Sequence, residues 1–501
     1  GTAASNTGKG IQVSSSATLG DYDLSAVSYL SLAANQTLAG QLNLQTNGEL
    51  KTSGDGQYIG DIALAGGKFS ATDNQVLGGT LSITADSELT VSDNYTLTLS
   101  QAGGLSLGAN TLTLSGGGSL VSGGLTLDNA SSKLVLNSIT VDNVSTSADS
   151  LGLDVDADST VTSLSVANIT PVAIASARSL SGGITVTAGS LKLSEAGTLA
   201  STISMSGGVL DADNSSTVSG TLTQAGNITI DVADDKTLTY SGSAISLGAN
   251  TLTLTGGGNL VSGGLTLNDP SSMLLLNSIT VDNVSTSSGS LGLDVDNDST
   301  VTSLTVGHTT PVSIASSKTL SGAITVTAGS IKLDETGTLA STIAMSGGTL
   351  DADNSSTLSG TLTQSGDIVI DVADNKTLTY SGAAPNLGAN TLTLSGGGTL
   401  SNTNALVLND ANSLLTLAGI LTIGDVEGTA ASNTGKGILV TSSATLGDYD
   451  LSAVSYLSIA ANQTLAGQLN LQTNGELKTS GDGQYIGDIA LAGGKFSATD
   501  S

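Results

Sequence analysis

The sequence predicts an all-β chain wound as a right-handed parallel β-helix, a β-solenoid with three short strands and about 20 residues per coil, forming an elongated rod. Three observations predict it: repetition on two scales, apolar pairs recurring in three interleaved series, and a composition that suits a thin interior. Residues 1–74 return at 428–501 with four changes, Gln12 to Leu439, Ser14 to Thr441, Leu32 to Ile459 and Asn74 to Ser501. Inside this 427-residue period, Leu107–Leu114 (Leu-Gly-Ala-Asn-Thr-Leu-Thr-Leu) recurs at Leu247–Leu254 and Leu387–Leu394, at a constant 140-residue offset. We therefore divide the chain into one long repeat, 1–427, and the start of the next, 428–501. The first contains sub-repeats 105–244 and 245–384 and a truncated third copy, 385–427. Fixed self-similarity of this kind marks folds in which each unit packs mainly on its neighbours.

Composition narrows the choice of repeat. With two Phe, nine Tyr, no Trp and 65 Gly, the chain lacks the bulky side chains of a wide core. Its 38% hydrophobic content, supplied by Leu, Val, Ile and Ala, is too high for a disordered chain, so a narrow apolar seam is expected. Only four Pro occur, good helix formers are scarce, and Asp, Asn and Gly are scattered throughout, which favours strands joined by tight polar turns. A formal charge of −29 argues against nucleic-acid partners and anionic membranes. The absence of Cys excludes disulfides, thiol catalysis and Cys-bound zinc. No run within the sequence is apolar enough to insert directly into a membrane.

The strands follow in order from alternating apolar residues, which a half-buried strand turns to one side. A first series holds Leu42/Leu44, Ile62/Leu64, Leu81/Ile83, Leu105/Leu107, Leu125/Leu127, Leu164/Val166, Ile184/Val186 and Ile203/Met205. A second holds Leu30/Leu32, Leu50, Phe69, Leu89/Val91, Leu112/Leu114, Leu134/Leu136, Leu151/Leu153, Val172/Ile174, Leu191/Leu193, Leu210 and Ile228/Ile230. A third holds Leu38, Tyr58, Leu77, Leu97/Leu99, Leu120, Ile139/Val141, Val161, Leu180, Leu199, Val218 and Leu238/Tyr240. Steps within each series are mostly nineteen or twenty positions, with an occasional seventeen or twenty-two to twenty-four. Glycine corners separate the third strand from the first (Gly40, Gly60, Gly79, Gly220), where freedom to take φ > 0 is expected to help. Polar corners such as Asn35-Gln-Thr37 and Asp93-Asn-Tyr-Thr96 separate the second from the third. At one inter-strand spacing per coil, ~4.8 Å, a 427-residue period of roughly 21 coils spans ~100 Å. The crossover preference of parallel strands sets the right-handed sense.

These L-x-L triplets, Gly corners and Thr/Asn-rich turns, with no Cys, resemble the parallel β-helix repeats of giant bacterial surface proteins, of the filamentous haemagglutinin-like adhesin and autotransporter-passenger type. The resemblance covers the whole chain and implies secretion, a right-handed coil and a role in holding cells to surfaces or to each other. One departure stands out: such passengers vary from coil to coil, whereas this chain repeats a 427-residue block almost unchanged.

No catalytic constellation emerges. The single His308 is replaced by Asn168 in the preceding copy, and Arg178 is the only arginine. Carboxylates recur without the unique cluster or the sugar-stacking aromatics of a polysaccharide-cleaving site. The best candidate for specific chemistry is acidic: Asp154, Asp156 and Asp158, with their copies Asp294, Asp296 and Asp298. In Leu151-Gly-Leu-Asp-Val-Asp156, alternation turns Leu151, Leu153 and Val155 inward and Asp154 and Asp156 outward, ~7 Å apart, a spacing at which two carboxylates share a hydrated Ca²⁺. No EF-hand or calcium-roll motif accompanies them, and a solvated acidic face is the plainer reading. No cofactor is required, Ca²⁺ being at most weakly held by these outward carboxylates. Asp55, Asp73, Asp93, Asp158, Glu195, Asp213 and Asp234 are expected to line one edge, repelling one another unless bridged by cations.

The expected role is that of a non-enzymatic structural fibre or stalk segment at the cell surface, outside the cell, acting in adhesion, cell–cell tethering, a surface coat or surface motility. Its expected partners are copies of itself, end to end or side by side, and cell-surface glycans or another cell. The alternative is a glycan-binding or polysaccharide-degrading β-helix protein.

Overall fold

The structure, a computed structural model, describes residues 1–2, 9–430 and 436–499. Positions 431–435 and 500–501 of the second long repeat, Ser501 among them, lie outside the described residues. Every regular element described is a strand, with no helix, and the strands stack in parallel as a β-solenoid of about 24 turns, about 20 residues apart. The chain divides into two compact units, Gly1–Ser243 with Gly258–Gly263, and Ala244–Gly257 with Gly264–Ser501. The division falls beside the join of the two sub-repeats at 244/245.

Each unit is built from three faces. In the first unit the second-series strands form one ladder from Gly10–Val13 through Val27–Leu32, Glu49–Ser53 and Lys68–Ala71 to Ile228–Val232, every pair parallel. The second unit repeats this from Thr251–Thr255 to Lys495–Ala498. Strands such as Val27–Leu32 and Thr111–Ser115 alternate strictly between buried and part-exposed side chains, because a two-residue period is the only way a strand can fill a core on one side alone. Of the inward residues expected from the three series, all but Leu151 are buried.

Register is kept by the corners. The step between Cα partners on the second face ranges from nineteen (Leu50 with Phe69) to twenty-five (Leu89 with Leu114). A slip of one residue would turn every apolar side chain outward, so the added residues sit in the turns instead. Two sequence alignments change as a result. Leu30 lies opposite Thr52 and Ser28 opposite Leu50, so Thr52 occupies an inward place and is 1% exposed. Leu134 pairs with Leu153 and Leu136 with Val155, which removes the short step from Leu134 to Leu151. Leu151 therefore precedes its strand and is 55% exposed, contrary to the inward place expected for it. Gly152, at the outward position opposite Lys133, takes φ of 80°, and a Cβ there would meet the carbonyl oxygen of Pro171 at 1.8 Å.

The glycine corners match expectation in part: Gly40 takes φ of 139°. Gly60 and Gly79 do not adopt positive φ; a Cβ on either would come within 1.7 Å of the glycine carbonyl in the preceding coil, so close backbone stacking selects glycine there. In several coils the third and first strands run together without a turn, as in Ser159–Val166 and Ser179–Val186, with a bulge between Val161 and Ser163 absorbing the bend.

The first-face ladder runs in blocks. Tyr22–Leu24, Gln41–Gln45, Asp61–Ala65 and Leu81–Ala85 form a four-stranded sheet that ends there. Leu105–Ser106 begins a second run, ending at Leu222–Gln224. In the second unit, Ile245–Ser246 begins a run that ends at Leu362–Gln364. Pairing resumes with the single bridge Asn386–Val407 and continues to Asp488–Leu491.

Candidate functional site

The six candidate carboxylates are placed by the end of a second-face strand and the corner that follows it. Asp154 lies outward in the strand Gly152–Val155, opposite Val135 and Ala173, and is half-buried by these neighbours. Asp156 and Asp158 lie beyond the strand and are exposed. The Asp156 N–H closes the ladder by donating to Leu136 O at 3.0 Å. Asp158 Oδ1 accepts the Ser179 N–H at 2.8 Å and the Ser179 hydroxyl at 3.2 Å, so this carboxylate holds the corner of the next coil. Asp298 does the same for the Thr319 N–H at 2.8 Å. The candidates are thus brought near one another along the chain but are used differently.

The two copies differ at one neighbour. Lys133, one coil earlier, ion-pairs with Asp154, the two side chains being 32% and 29% exposed. In the second copy Met273 stands at that place, opposite Gly292 as Lys133 is opposite Gly152. Asp294 therefore lacks this cation; burial raises its carboxyl above the usual carboxylate range, and the charges of Asp296 and Glu335 raise it further. Among the described residues, no three His, Asp or Glu side chains come together as a group able to hold a metal ion.

A second acidic column lies further along the same face. Lys192, Asp211 and Asp231 lie in register on three successive strands, and Lys332, Asp351 and Asp371 repeat the arrangement. Lys192 bonds Asp213 at 2.7 Å and Asp211 at 3.2 Å, while Lys332 pairs with Asp353. Burial, followed by the nearby Asp353, pushes Asp351 up to about 6; Asp371, directly opposite, adds to the effect. Like charges facing each other across a ladder oppose pairing, so this column raises the energy of the fold at neutral pH.

Of the expected row of corner carboxylates, Asp73, Asp158 and Asp213 have bonding partners, and Asp86 and Asp149, outside that row, are used in the same way as Asp73. Asp73 accepts the Gly54 N–H at 2.9 Å, Asp86 the Thr111 N–H at 2.7 Å and Asp149 the Ile169 N–H at 2.9 Å. Each carboxylate satisfies a corner amide in a neighbouring coil, a charge-assisted bond that stabilises the turn.

One outward patch has no counterpart among the expected sites. Glu49, Lys68 and Glu88 stand in register on successive coils; Lys68 pairs with Glu88 at 2.7 Å, and Glu49 accepts from Ser70 at 2.9 Å. Beside them Lys51 stands 5.7 Å from the centre of the Tyr29 ring. The arrangement returns in the second long repeat: Lys478 over Tyr456 at 5.5 Å, Lys495 to Glu476 at 3.0 Å and Ser497 to Glu476 at 3.0 Å. An open groove of about 480 Å³ borders Glu49, Lys68, Asp86 and Glu88. Its charged groups are bonded to one another or to backbone, so the patch pins coils together. Opposite charges at outward positions one coil apart are the signal in the sequence that marks it.

No helix among the described residues is long and apolar enough to cross a membrane. Searches of protein-family models, curated proteins and solved structures find nothing that matches this chain.

Proposed function

We propose that this chain is a non-enzymatic structural segment of an extracellular fibre or stalk on a cell surface, serving adhesion, tethering between cells, a surface coat or surface motility. The observation that carries the reading is the return of the same coil-to-coil contacts in the next long repeat: Tyr29–Lys51 as Tyr456–Lys478, and Ser70–Glu49 as Ser497–Glu476. A unit repeated together with its internal contacts extends a structure without adding a new site. Within each unit, parallel ladders and buried Leu, Val and Ile stacks share load over many weak bonds. Partners under this reading are further copies of the chain, and glycans or the surface of another cell at places outside the repeated coils.

Immunogold electron microscopy of intact cells with antibody to the 427-residue repeat tests the proposal. Label on thin external filaments, with a periodicity near ~100 Å from the inter-strand spacing, is the expected result. Label confined to the cell interior would reject it.

A further inference from the structure

The interruptions of the first face fall in the same place in each sub-repeat, and each is plugged by a side chain. After Leu81–Ala85, the Leu81 N–H donates to Gln101 Oε1 at 2.5 Å where a neighbouring strand would have stood, and Gln101 Nε2 bonds Gly104 O. Asn110 Nδ2 reaches Ile83 O at 3.2 Å. At Leu222–Gln224, the last first-face strand before the chain divides between Ser243 and Ala244, the Leu222 N–H donates to the Tyr240 phenol oxygen at 3.0 Å. After Leu362–Gln364, the Leu362 N–H donates to the Tyr380 phenol oxygen at 3.2 Å, whose own proton goes to Ala383 O at 2.5 Å. Gln364 Nε2 donates to Thr391 O at 2.7 Å.

Further features weaken the last of these places. Ile245 donates its N–H to Gly264 O at 2.8 Å, but the residue at the matching position in the next copy is Pro385, which has no N–H. Pro385 also borders an internal void of about 10 Å³, lined by Leu358, Leu362, Tyr380 and Leu406 among others. The corner is long as well: the second-face step from Ile370 to its partner Leu394 exceeds the step from Ile331 to Leu350 by five positions.

We infer that the plugged interruptions near residues 100–105, in the first unit, and 381–387, in the second, are built-in yield points, at which each unit opens first and which divide it into cooperative blocks. In a stacked-coil protein, stability is a sum of coil and nearest-neighbour terms, so an opening front halts where the neighbour term changes. At these two places one of three ladders is replaced by a few side-chain bonds, and the other two ladders keep their pairing. The inference concerns how the chain yields and does not depend on the proposed location.

Single-molecule stretching of the 501-residue chain from its two ends, combined with hydrogen exchange, tests it. The expected extension increments are ~450 Å for blocks of about 140 extended residues less their folded rise, and ~300–400 Å for the shorter blocks at the two ends. The expected exchange minima of protection lie at the two named segments. Tyr380→Phe should speed exchange at 381–387 about fivefold, the effect of one net hydrogen bond. Tyr58→Phe, which removes a phenol bonded to Gly40 O inside a block, should leave the order of opening unchanged. Increments of one coil, a single rupture of the whole chain, or protection minima elsewhere would each overturn the inference, as would a Tyr380→Phe chain with unaltered exchange at 381–387.

Discussion

The contrast between Lys133 and Met273 allows the worth of a single ladder charge to be measured. Met273→Lys places an ammonium one coil from Asp294, reproducing the Lys133–Asp154 pair. Both partners of that pair are about a third exposed, so screening holds the gain to ~0.5–1 kcal/mol at pH 7. The stem of Lys covers the same surface as Met, and little packing is lost. In the native protein the Asp294 pKa lies above its unfolded value. The folded unit therefore binds a proton between the two values that the unfolded chain does not, and stability falls as pH rises through that window. Lys at 273 brings the raised folded value down. The new stabilisation is then present at pH 7, where the carboxylate is charged, and lost as pH falls and the carboxylate is protonated. Urea denaturation at pH 7 and pH 3, with carbon-detected NMR titration of Asp294, measures both effects. An unmoved Asp294 titration, or an equal gain at pH 3, where the carboxyl is protonated, would refute the reasoning; Lys133→Met should show the converse loss.

Further outcomes are expected. Pro385→Ile should raise the urea midpoint by the equivalent of ~1 kcal/mol, from one added methylene and one recovered N–H bond less the chain freedom returned to the unfolded state. Ile245→Pro should cost ~2–3 kcal/mol at the matching place, and equal effects at both sites would count against the role assigned to the void. Gly152→Ala should cost more than ~1 kcal/mol, because φ of 80° and the Pro171 carbonyl both exclude a Cβ; thermal melting would show it. Acidification from pH 7 to 5 should stabilise the second unit by at most ~1–2 kcal/mol after screening, since the raised pKa of Asp351 favours its protonated form in the folded state; a midpoint that falls over this range refutes the assignment. Millimolar Ca²⁺ at fixed ionic strength should raise the melting temperature modestly by bridging outward carboxylates such as Asp294 and Asp296, and superimposable curves with Ca²⁺ and with chelator would dismiss bridging.

The inward stacks are readable in the sequence because a two-residue alternation that returns at every coil fits few folds besides a stack of rungs: Leu42/Leu44, Ile62/Leu64 and Leu97/Leu99 all fall in the core. Leu151 misleads because a positive-φ glycine moves the strand start, and single-sequence alternation carries no information on backbone sign. Thr146 and Thr170, hydroxyls 3.1 Å apart inside the core, are invisible for a similar reason, since threonine reads as an outward residue until its partner is known. The candidate aspartates are legible as acidic and near the surface. Their partners are not, because Lys133, Ser179 and Thr319 lie on adjacent coils at offsets that vary with corner length.

That variation in offset, from Leu50 with Phe69 to Leu89 with Leu114, leaves the facing side chains matched while the turn between them grows or shrinks. Foreign peptides grafted into the bends of such a scaffold should therefore be displayed without disturbing the rungs on either side. Lineages carrying this architecture are free to gain and lose short stretches of surface decoration by insertion and deletion, a freedom that tightly interlocked globules do not share.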